Sequence, residues 1–151
     1  MNKTTKKKPV RIHWDRAACT TCMSCVVVCS ERHTGTSAPS RARLRIHVDV
    51  LGADYDASYC RQCGNAPCAA VCPVEAITFD EELRAWLLDE DLCTGCGECV
   101  EACPFDAIWL DPISGLAFKC DLCSGAARCV EVCPSNALTL KGLGKESVDG
   151  G

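Results

Sequence analysis

CTGCGECVEACP, residues 93–104, is the stretch of sequence that decides the fold of this chain. Its cysteines follow the spacing C-x2-C-x2-C-x3-C, and a proline comes directly after the last of them: Cys93, Cys96, Cys99, Cys103 and Pro104. Three thiolates at two-residue gaps on a tight loop can reach three corners of one [4Fe–4S] cube, and a short helix carries the fourth away. Proline lacks a backbone N–H and ends that helix. The stretch therefore predicts an iron–sulfur site.

Three further cysteine quartets repeat this pattern with small changes. The gap between the second and third cysteines widens to GNAP in the second quartet and to SGAAR in the fourth, and Ser30 replaces the proline in the first. The quartets are Cys19, Cys22, Cys25 and Cys29; Cys60, Cys63, Cys68 and Cys72; and Cys120, Cys123, Cys129 and Cys133. No ligand position is substituted. We therefore expect four [4Fe–4S] clusters, with all sixteen cysteines as metal ligands.

Other uses of sixteen cysteines agree less well with the sequence. A secreted disulfide scaffold needs an export signal, and the basic start of the chain is not followed by an apolar stretch of that kind. Zinc usually takes C-x2-C pairs separated by longer spans, not quartets. No apolar run is long enough to cross a membrane. The cytoplasm is therefore the expected compartment.

The charge balance restricts the partners. The formal net charge is −4, although four lysines lie near the start of the chain: Lys3, Lys6, Lys7 and Lys8. Bound clusters with four thiolates each would make the body more acidic still. An acidic body argues against nucleic acid as the main partner. We expect residues 1–9 to form a disordered basic tail and residues 142–151 a flexible, glycine-rich one.

Short strands and hairpins are predicted between the quartets. The alternation of apolar and polar residues in LRIHVDV, residues 44–50, predicts a half-buried strand. Strands are also expected at 10–14 and 137–141, and hairpins within 76–89 and 107–119. Because quartet, short helix, strand and turn recur, the predicted fold is α+β. It is a duplicated bacterial-type two-cluster ferredoxin, with two small lobes around four cubane clusters.

The residues around the first quartet are expected to support it without binding metal. With serine in place of proline, the helix after Cys29 can continue to His33 and end at Gly35. His33 is expected to form a hydrogen bond or lie at the surface, because the cysteines already supply enough ligands. Trp86 is expected to pack in the core.

Residues 10–141 resemble the four-cluster, ferredoxin-like electron-transfer subunits of the dimethyl sulfoxide reductase and formate dehydrogenase type. The resemblance lies in CTTCMSCVVVCSERH, PSRARLRIHV, YCRQCGNAPCAAVCP, CTGCGECVEACPFDAI and FKCDLC. Larger members have a longer gap in the fourth motif and an extension after it. The chain is in this respect closer to the short relatives that serve hydrogenase, carbon monoxide dehydrogenase or tungsten aldehyde oxidoreductase.

The resemblance implies how the quartets combine. Motifs one and four would build an outer lobe, residues 10–51 plus 112–141, and motifs two and three an inner lobe, residues 52–111. Each lobe would exchange its fourth cysteines, giving four ligand sets: Cys19, Cys22, Cys25 and Cys133; Cys29, Cys120, Cys123 and Cys129; Cys60, Cys63, Cys68 and Cys103; and Cys72, Cys93, Cys96 and Cys99. The sequence itself supports the inner pair, because the segment from Cys72 to Cys93 has room for one hairpin. The outer pair depends on the resemblance.

The expected function is the relay of single electrons. Four thiolates on every cluster leave no iron open to a substrate, and no glycine-rich nucleotide loop is present. We therefore expect a subunit without a substrate site of its own, in a hetero-oligomer with a catalytic redox subunit and a second electron donor or acceptor. The outer and inner lobes should be joined through residues 52–59 and 111–119, and this arrangement should place the four clusters in a line.

The identity of the partner stays open at this point. A tungsten or molybdenum enzyme such as an aldehyde oxidoreductase is favoured, ahead of a hydrogenase or carbon monoxide dehydrogenase. A freely diffusing polyferredoxin is the alternative within the same class of function. A regulatory or structural iron–sulfur protein and an enzyme acting alone are the alternatives from other classes.

Overall fold

The computed structural model describes residues 7–142, so most of the two predicted tails lies outside the described residues. Within that range the helices are α1 (Ser24–Thr34), α2 (Pro67–Val71), α3 (Glu98–Ala102) and α4 (Arg128–Val132), with 3₁₀ turns at Pro39–Arg41 and Leu122–Gly125. The strands are β1 (Arg11–Trp14), β2 (Leu44–Asp49), β3 (Asp54–Tyr59), β4 (Ile77–Asp80), β5 (Ala85–Leu88), β6 (Trp109–Leu110), β7 (Ala117–Phe118) and β8 (Leu138–Lys141). This confirms the predicted α+β fold.

Each sheet of the described chain is a single antiparallel pair. β4 pairs with β5 and β6 pairs with β7, which confirms the two predicted hairpins. β1 pairs with β8, with Ile12 opposite Leu140, although these strands lie at opposite ends of the chain. This pairing brings the first cysteine motif beside the fourth.

The strand predicted at residues 44–50 forms, but its burial was predicted wrongly. Leu44 is 2% exposed, whereas Val48 is 45% and Val50 is 82% exposed. β2 pairs with β3, which is formed by residues that were expected only to join the lobes. Because the pair ends in a turn around residue 51, its distal half has no neighbouring element to cover it. The predicted boundary between the lobes, at residue 52, falls inside this hairpin.

α1 continues past the first quartet, as the serine in place of proline predicts. Ser30 is fully buried; its hydroxyl donates to the Val27 carbonyl at 2.8 Å and accepts the Ala38 N–H at 3.1 Å. Gly35 ends the helix in a left-handed conformation, with φ 74°. The chain therefore folds back over α1 immediately after the helix ends.

The described part of the N-terminal segment is not a free tail. Pro9 is buried. The Lys7 ammonium donates to the Glu81 carbonyl oxygen at 3.0 Å. Pro9 therefore packs against the rest of the chain, while the side chains of Lys7 and Lys8 stay exposed.

The core is small and contains many of the thiols. Buried cysteines make up a quarter of its apolar residues: Cys25, Cys29, Cys60, Cys99, Cys120, Cys123 and Cys129. Trp86 is 4% exposed and packs with Ile77 and Ile108, which confirms its predicted place in the core. No helix among the described residues has the length and apolar character needed to cross a bilayer.

Candidate metal centres

Every quartet is built on the same loop geometry. The backbone is left-handed two residues after the first cysteine and again two residues before the third. The first of these positions holds Thr21, Gln62, Gly95 and Leu122; the second holds Met23, Ala66, Gly97 and Ala127. For a residue other than glycine, this backbone conformation costs roughly 1–2 kcal/mol. The strained turns recur because they direct three successive thiols toward one centre.

The third cysteine of each quartet lies in the first turn of the helix that follows: Cys25, Cys68, Cys99 and Cys129. Burial, with neighbouring thiolates adding to it, raises the pKa of Cys25, Cys68 and Cys99 to about 11 and that of Cys129 to about 12. Metal ions take cysteine as the thiolate, so cluster insertion must displace these protons. A crowded, buried set of thiols fits a cationic metal centre better than it fits four free thiolates.

The fourth cysteine of motifs two to four follows directly after its short helix. The N–H groups of Ala76, Ala107 and Ala137 donate to the sulfur atoms of Cys72, Cys103 and Cys133 at 3.3, 3.4 and 3.3 Å. A left-handed residue comes before each alanine and aims its N–H back at the sulfur: Glu75, Asp106 and Asn136. Such N–H donors stabilise a thiolate and help to set the potential of a cluster.

The first motif places its fourth cysteine differently, because α1 does not end there. Cys29 sulfur accepts the Arg43 N–H at 3.1 Å instead. His33 lies one turn further, with Nδ1 2.9 Å from the Cys29 carbonyl oxygen and Nε2 2.9 Å from the Asp121 carboxylate. Burial lowers the pKa of His33, but the hydrogen bonds to Asp121 and Cys29 outweigh it and raise the pKa to about 9. His33 therefore has the hydrogen-bonding role predicted for it.

The fold brings the thiols together in four sets, and each set combines three cysteines of one motif with one cysteine of another. The first set, whose members line one cavity, is Cys19, Cys22, Cys25 and Cys133. The second set lines another cavity and is Cys29, Cys120, Cys123 and Cys129. The third set lines a further cavity and is Cys60, Cys63, Cys68 and Cys103. In the fourth set, Cys99 has three neighbouring thiolates that add to the effect of burial and raise its pKa. The members of this set are Cys72, Cys93, Cys96 and Cys99.

Structural elements join neighbouring sets in a single order. The first and second sets are joined by α1, which carries both Cys25 and Cys29. The second and third sets are joined by Gln62, two residues after Cys60, whose amide donates to the Cys120 carbonyl. The third and fourth sets are joined by α3, since Cys99 lies in that helix and Cys103 follows it. The order is therefore first, second, third, fourth.

Exposure distinguishes the ends of this series from its middle. All sixteen cysteines lie within the described residues, and among them only Cys22 and Cys96 are exposed. One belongs to the first set and the other to the fourth. The second set has four buried cysteines. Solvent and partner proteins can therefore approach the sulfur atoms most closely at the two ends.

Sequence reasoning missed the polar groups buried between the second and third sets. Gln62 is fully buried, and its amide donates to the Cys120 carbonyl at 3.1 Å and accepts the Trp86 N–H at 2.7 Å. Lys119 is 1% exposed. Each lies within two residues of a motif cysteine, which was the available signal. A polar residue beside a loop cysteine looks like a surface residue until the packing of the two sets is known.

Comparison with known families agrees with the site. A family described as a 4Fe-4S dicluster domain matches residues 51–143, and a 4Fe-4S binding domain matches residues 16–32. The chain belongs to the 4Fe-4S dicluster family. It therefore binds [4Fe–4S] clusters, as the sequence predicts, and its sixteen cysteines fit four of them.

Two curated relatives indicate the class of function. The chain is 32% identical over 117 residues to the thiosulfate reductase electron transfer subunit PhsB of Salmonella typhi, covering 74% of this chain and 60% of the relative. It is 37% identical over 86 residues to the polyferredoxin-like subunit of an aliphatic sulfonate oxidoreductase of Pyrococcus furiosus, covering 57% and 49%. The chain thus spans about half the length of these relatives. Both relatives are named as subunits of oxidoreductases, and PhsB is named as an electron transfer subunit.

A solved structure supports the fold. The active site complex BamBC of benzoyl coenzyme A reductase contains a chain that matches with a TM-score of 0.52 and 25% identity. The match covers 87% of this chain and 78% of that one. Together with the dicluster family, this agreement confirms the duplicated ferredoxin architecture.

Proposed function

We propose that each of the four thiol sets holds one [4Fe–4S] cluster and that the chain relays single electrons along them. The observation that carries the proposal is the order of the sets, with neighbours joined by shared elements and one exposed cysteine at each end. Each set provides four thiols, so that every iron would have a protein ligand. A cluster with all corners filled passes electrons and leaves no position for a substrate.

The two ends are the proposed points of electron entry and exit. Cys22 lies at the first set and Cys96 at the fourth, and both are exposed. An electron entering at one end would hop through the second and third sets to reach the other. The chain itself would bind no metabolite. The division into an outer and an inner lobe stays part of this proposal, with the boundary moved beyond the β2–β3 hairpin.

The proposed partners are the catalytic subunit of an oxidoreductase at one end and a second redox protein at the other. We favour a tungsten or molybdenum enzyme, for which an aldehyde oxidoreductase is our first candidate. The names of the relatives support a role within an oxidoreductase, since PhsB is named as the electron transfer subunit of a thiosulfate reductase. Hydrogenase or carbon monoxide dehydrogenase is the second choice. A bound electron-transfer protein should co-purify in a fixed ratio with its catalytic partner, whereas a diffusing polyferredoxin should not.

Metal analysis tests the number of clusters. Protein purified without oxygen should contain about sixteen iron and about sixteen sulfide per chain, because each cubane holds four of each. A reproducible value near twelve would remove one set from the proposal. Zinc bound in place of iron in purified protein would contradict it.

Electron transfer tests the relay. Protein reduced with dithionite should pass electrons to an artificial dye, and should convert no metabolite when it is alone. With its catalytic partner it should connect that enzyme to the dye. Cys22→Ala and Cys96→Ala each remove a ligand at one end, and each should slow transfer through the complex. If the complex turns over equally fast without both terminal clusters, the chain is not the path.

A further inference from the structure

Lys119 is a buried cation without an acidic partner. Its side chain is 1% exposed, and its ammonium donates to the carbonyl oxygens of Trp86 at 2.5 Å and Cys120 at 3.0 Å. Within residues 7–142, it forms no ion pair with Asp or Glu. Burying an ammonium is unfavourable unless a negative charge compensates it. Something other than a carboxylate must supply that charge.

The position of Lys119 indicates what supplies it. The side chain lines the cavity of the third set, beside Cys60 and Cys68. Its backbone is directly followed by Cys120 of the second set. Its ammonium donates to the Cys120 carbonyl oxygen and lies in the lining of the third set, so its charge is close to both sets. Lys119 therefore lies between the two central thiol sets.

Two other cations near the second set are matched by acids. The Arg43 guanidinium contacts Glu90 at 3.2 Å, and the His33 ring contacts Asp121 at 2.9 Å. Arg43 also donates to the carbonyl oxygen of Lys119 at 3.0 Å, so its charge lies close to Lys119. Glu90 is the counter-ion of Arg43.

Arg32, near Cys123, is exposed, and Arg61, in the lining of the third set, is half-buried with its guanidinium over the Tyr59 ring. Among the described residues, Lys119 is the only lysine or arginine that is buried.

We propose that Lys119 is the counter-cation of the two central clusters and raises their reduction potentials. The inference rests on the proposed function, because it requires clusters in the second and third sets. An oxidised cluster with four thiolates carries about two negative charges and gains a third on reduction. A fixed positive charge in a poorly solvated site favours the more negative state. Electrons in the relay would then be held most stably at its centre.

A purely structural role is the competing explanation. The two hydrogen bonds of Lys119 connect β5 to the start of the fourth motif, and a neutral donor could make them as well. Charge and hydrogen bonding can be separated by substitution. Lys119→Gln keeps an N–H donor without the charge, Lys119→Met removes both, and Lys119→Arg keeps the charge. Lys141→Met removes an exposed lysine from β8 and is the matched control.

The test is a potentiometric titration of the anaerobic holoproteins, followed by electron paramagnetic resonance. In Lys119→Met and Lys119→Gln, two of the four reduction potentials should fall while the other two stay in place. At a fixed solution potential, the reduced-to-oxidised ratio of those two clusters should drop about tenfold, or about 59 mV for one electron. Lys119→Arg should keep values close to the unmodified protein, and Lys141→Met should move none.

Other outcomes overturn the inference. Unchanged potentials in Lys119→Gln, or a shift of all four clusters that Lys141→Met reproduces, would exclude Lys119 as their counter-cation. If the neutral variants lose iron while Lys119→Arg retains it, the charge is required and the inference stands. Loss of iron in all three variants would show that the shape of lysine, not its charge, holds the site. Iron content of the unmodified protein separates this from the proposed function, which fails if four clusters are not found.

Discussion

Two glycines of the third motif illustrate how a single residue constrains a cluster loop. A Cβ atom on Gly95 would lie 2.5 Å from the Gly115 carbonyl oxygen, whereas one on Gly97 would meet only Leu110 at 3.9 Å. Both have a positive φ, of 73° and 82°. Ala66 adopts the equivalent of the Gly97 conformation in the second motif. Position 97 thus needs only a left-handed backbone, while position 95 needs the absence of a side chain.

Gly95→Ala should therefore damage the fourth set far more than Gly97→Ala. Both substitutions introduce left-handed strain of roughly 1–2 kcal/mol. Only the first forces two backbone segments apart. We expect iron below the unmodified value in Gly95→Ala and a full content in Gly97→Ala, measured per chain after anaerobic purification. Equal iron content and equal rates of cluster loss in guanidinium would contradict this explanation.

Arg41 and Asp111 join distant parts of the chain through a pair of hydrogen bonds. Arg41 Nε and Nη2 each donate to one oxygen of the Asp111 carboxylate at 2.8 Å. Asp111 is 9% exposed and also accepts the Ser114 hydroxyl. The hydrogen bonds from Arg41 hold the pKa of Asp111 far below its usual range, although burial opposes them. The contact ties the loop after α1 to the β6–β7 hairpin.

Asp111→Asn should speed the loss of clusters in guanidinium. The substitution leaves the Arg41 guanidinium with a neutral partner in place of a carboxylate, so the rate of cluster loss should rise. A carboxyl group whose pKa is lowered on folding stabilises the fold at every pH above its ordinary pKa of 3.8. This stability is lost only as the pH falls toward the pKa of the folded state. The defect should therefore be the same at about pH 6 and about pH 8. Visible absorbance follows the reaction, and exposed Asp91→Asn is the control; a defect confined to one pH would refute the assignment.

At the scale of the elements, the short helices distribute cysteines between sets. α3 carries Cys99 near its start and is followed by Cys103, which falls in the third set rather than the fourth. α2 stands in the same relation to Cys68 and Cys72. A helix of five residues advances by about 7 Å, which is enough to separate two ligands of different clusters.

Double substitutions should reveal this exchange. Cys103→Ser should lose iron from the cluster that also uses Cys63, so adding Cys63→Ser should cause little further loss. Adding Cys96→Ser to Cys103→Ser should instead damage a second cluster, and the losses should add. Iron per chain measures both pairs. Additive loss with Cys63→Ser and none with Cys96→Ser would show that Cys103 stays with its own motif.

The elements also show which parts of the structure could be predicted from sequence. Cysteine spacing and the proline after it are local, and so are the glycine that ends α1 and the two hairpins, which were all predicted. The burial of β2 was not, because Val50 has the same alternating pattern as Leu44 but no neighbour above it. Lys119 and Gln62 were missed for the opposite reason, since packing between sets buries residues that look polar and exposed. Patterns along the chain fix local geometry, and contacts between distant segments decide burial.

For the molecule as a whole, the order of the sets creates an unequal exposure of the clusters. The second set has four buried cysteines, and the first and fourth sets each have one exposed member, Cys22 or Cys96. An oxidant in solution must reach the inorganic core to destroy a cluster. It should therefore reach the two terminal clusters before the central ones.

Air oxidation of the holoprotein should consequently proceed in two phases. The fast phase should release about eight iron, the content of two cubanes, and the slow phase should release the rest. Cys96→Ala, which lacks a ligand of the fourth set, should keep the slow phase and lose about half of the fast one. Iron release measured with a chelator gives both amplitudes. A single phase would mean that all four clusters are equally accessible, and the relay would then have no distinct ends. Retention of the full fast phase in Cys96→Ala would instead show that the exposed cysteine does not belong to a terminal cluster.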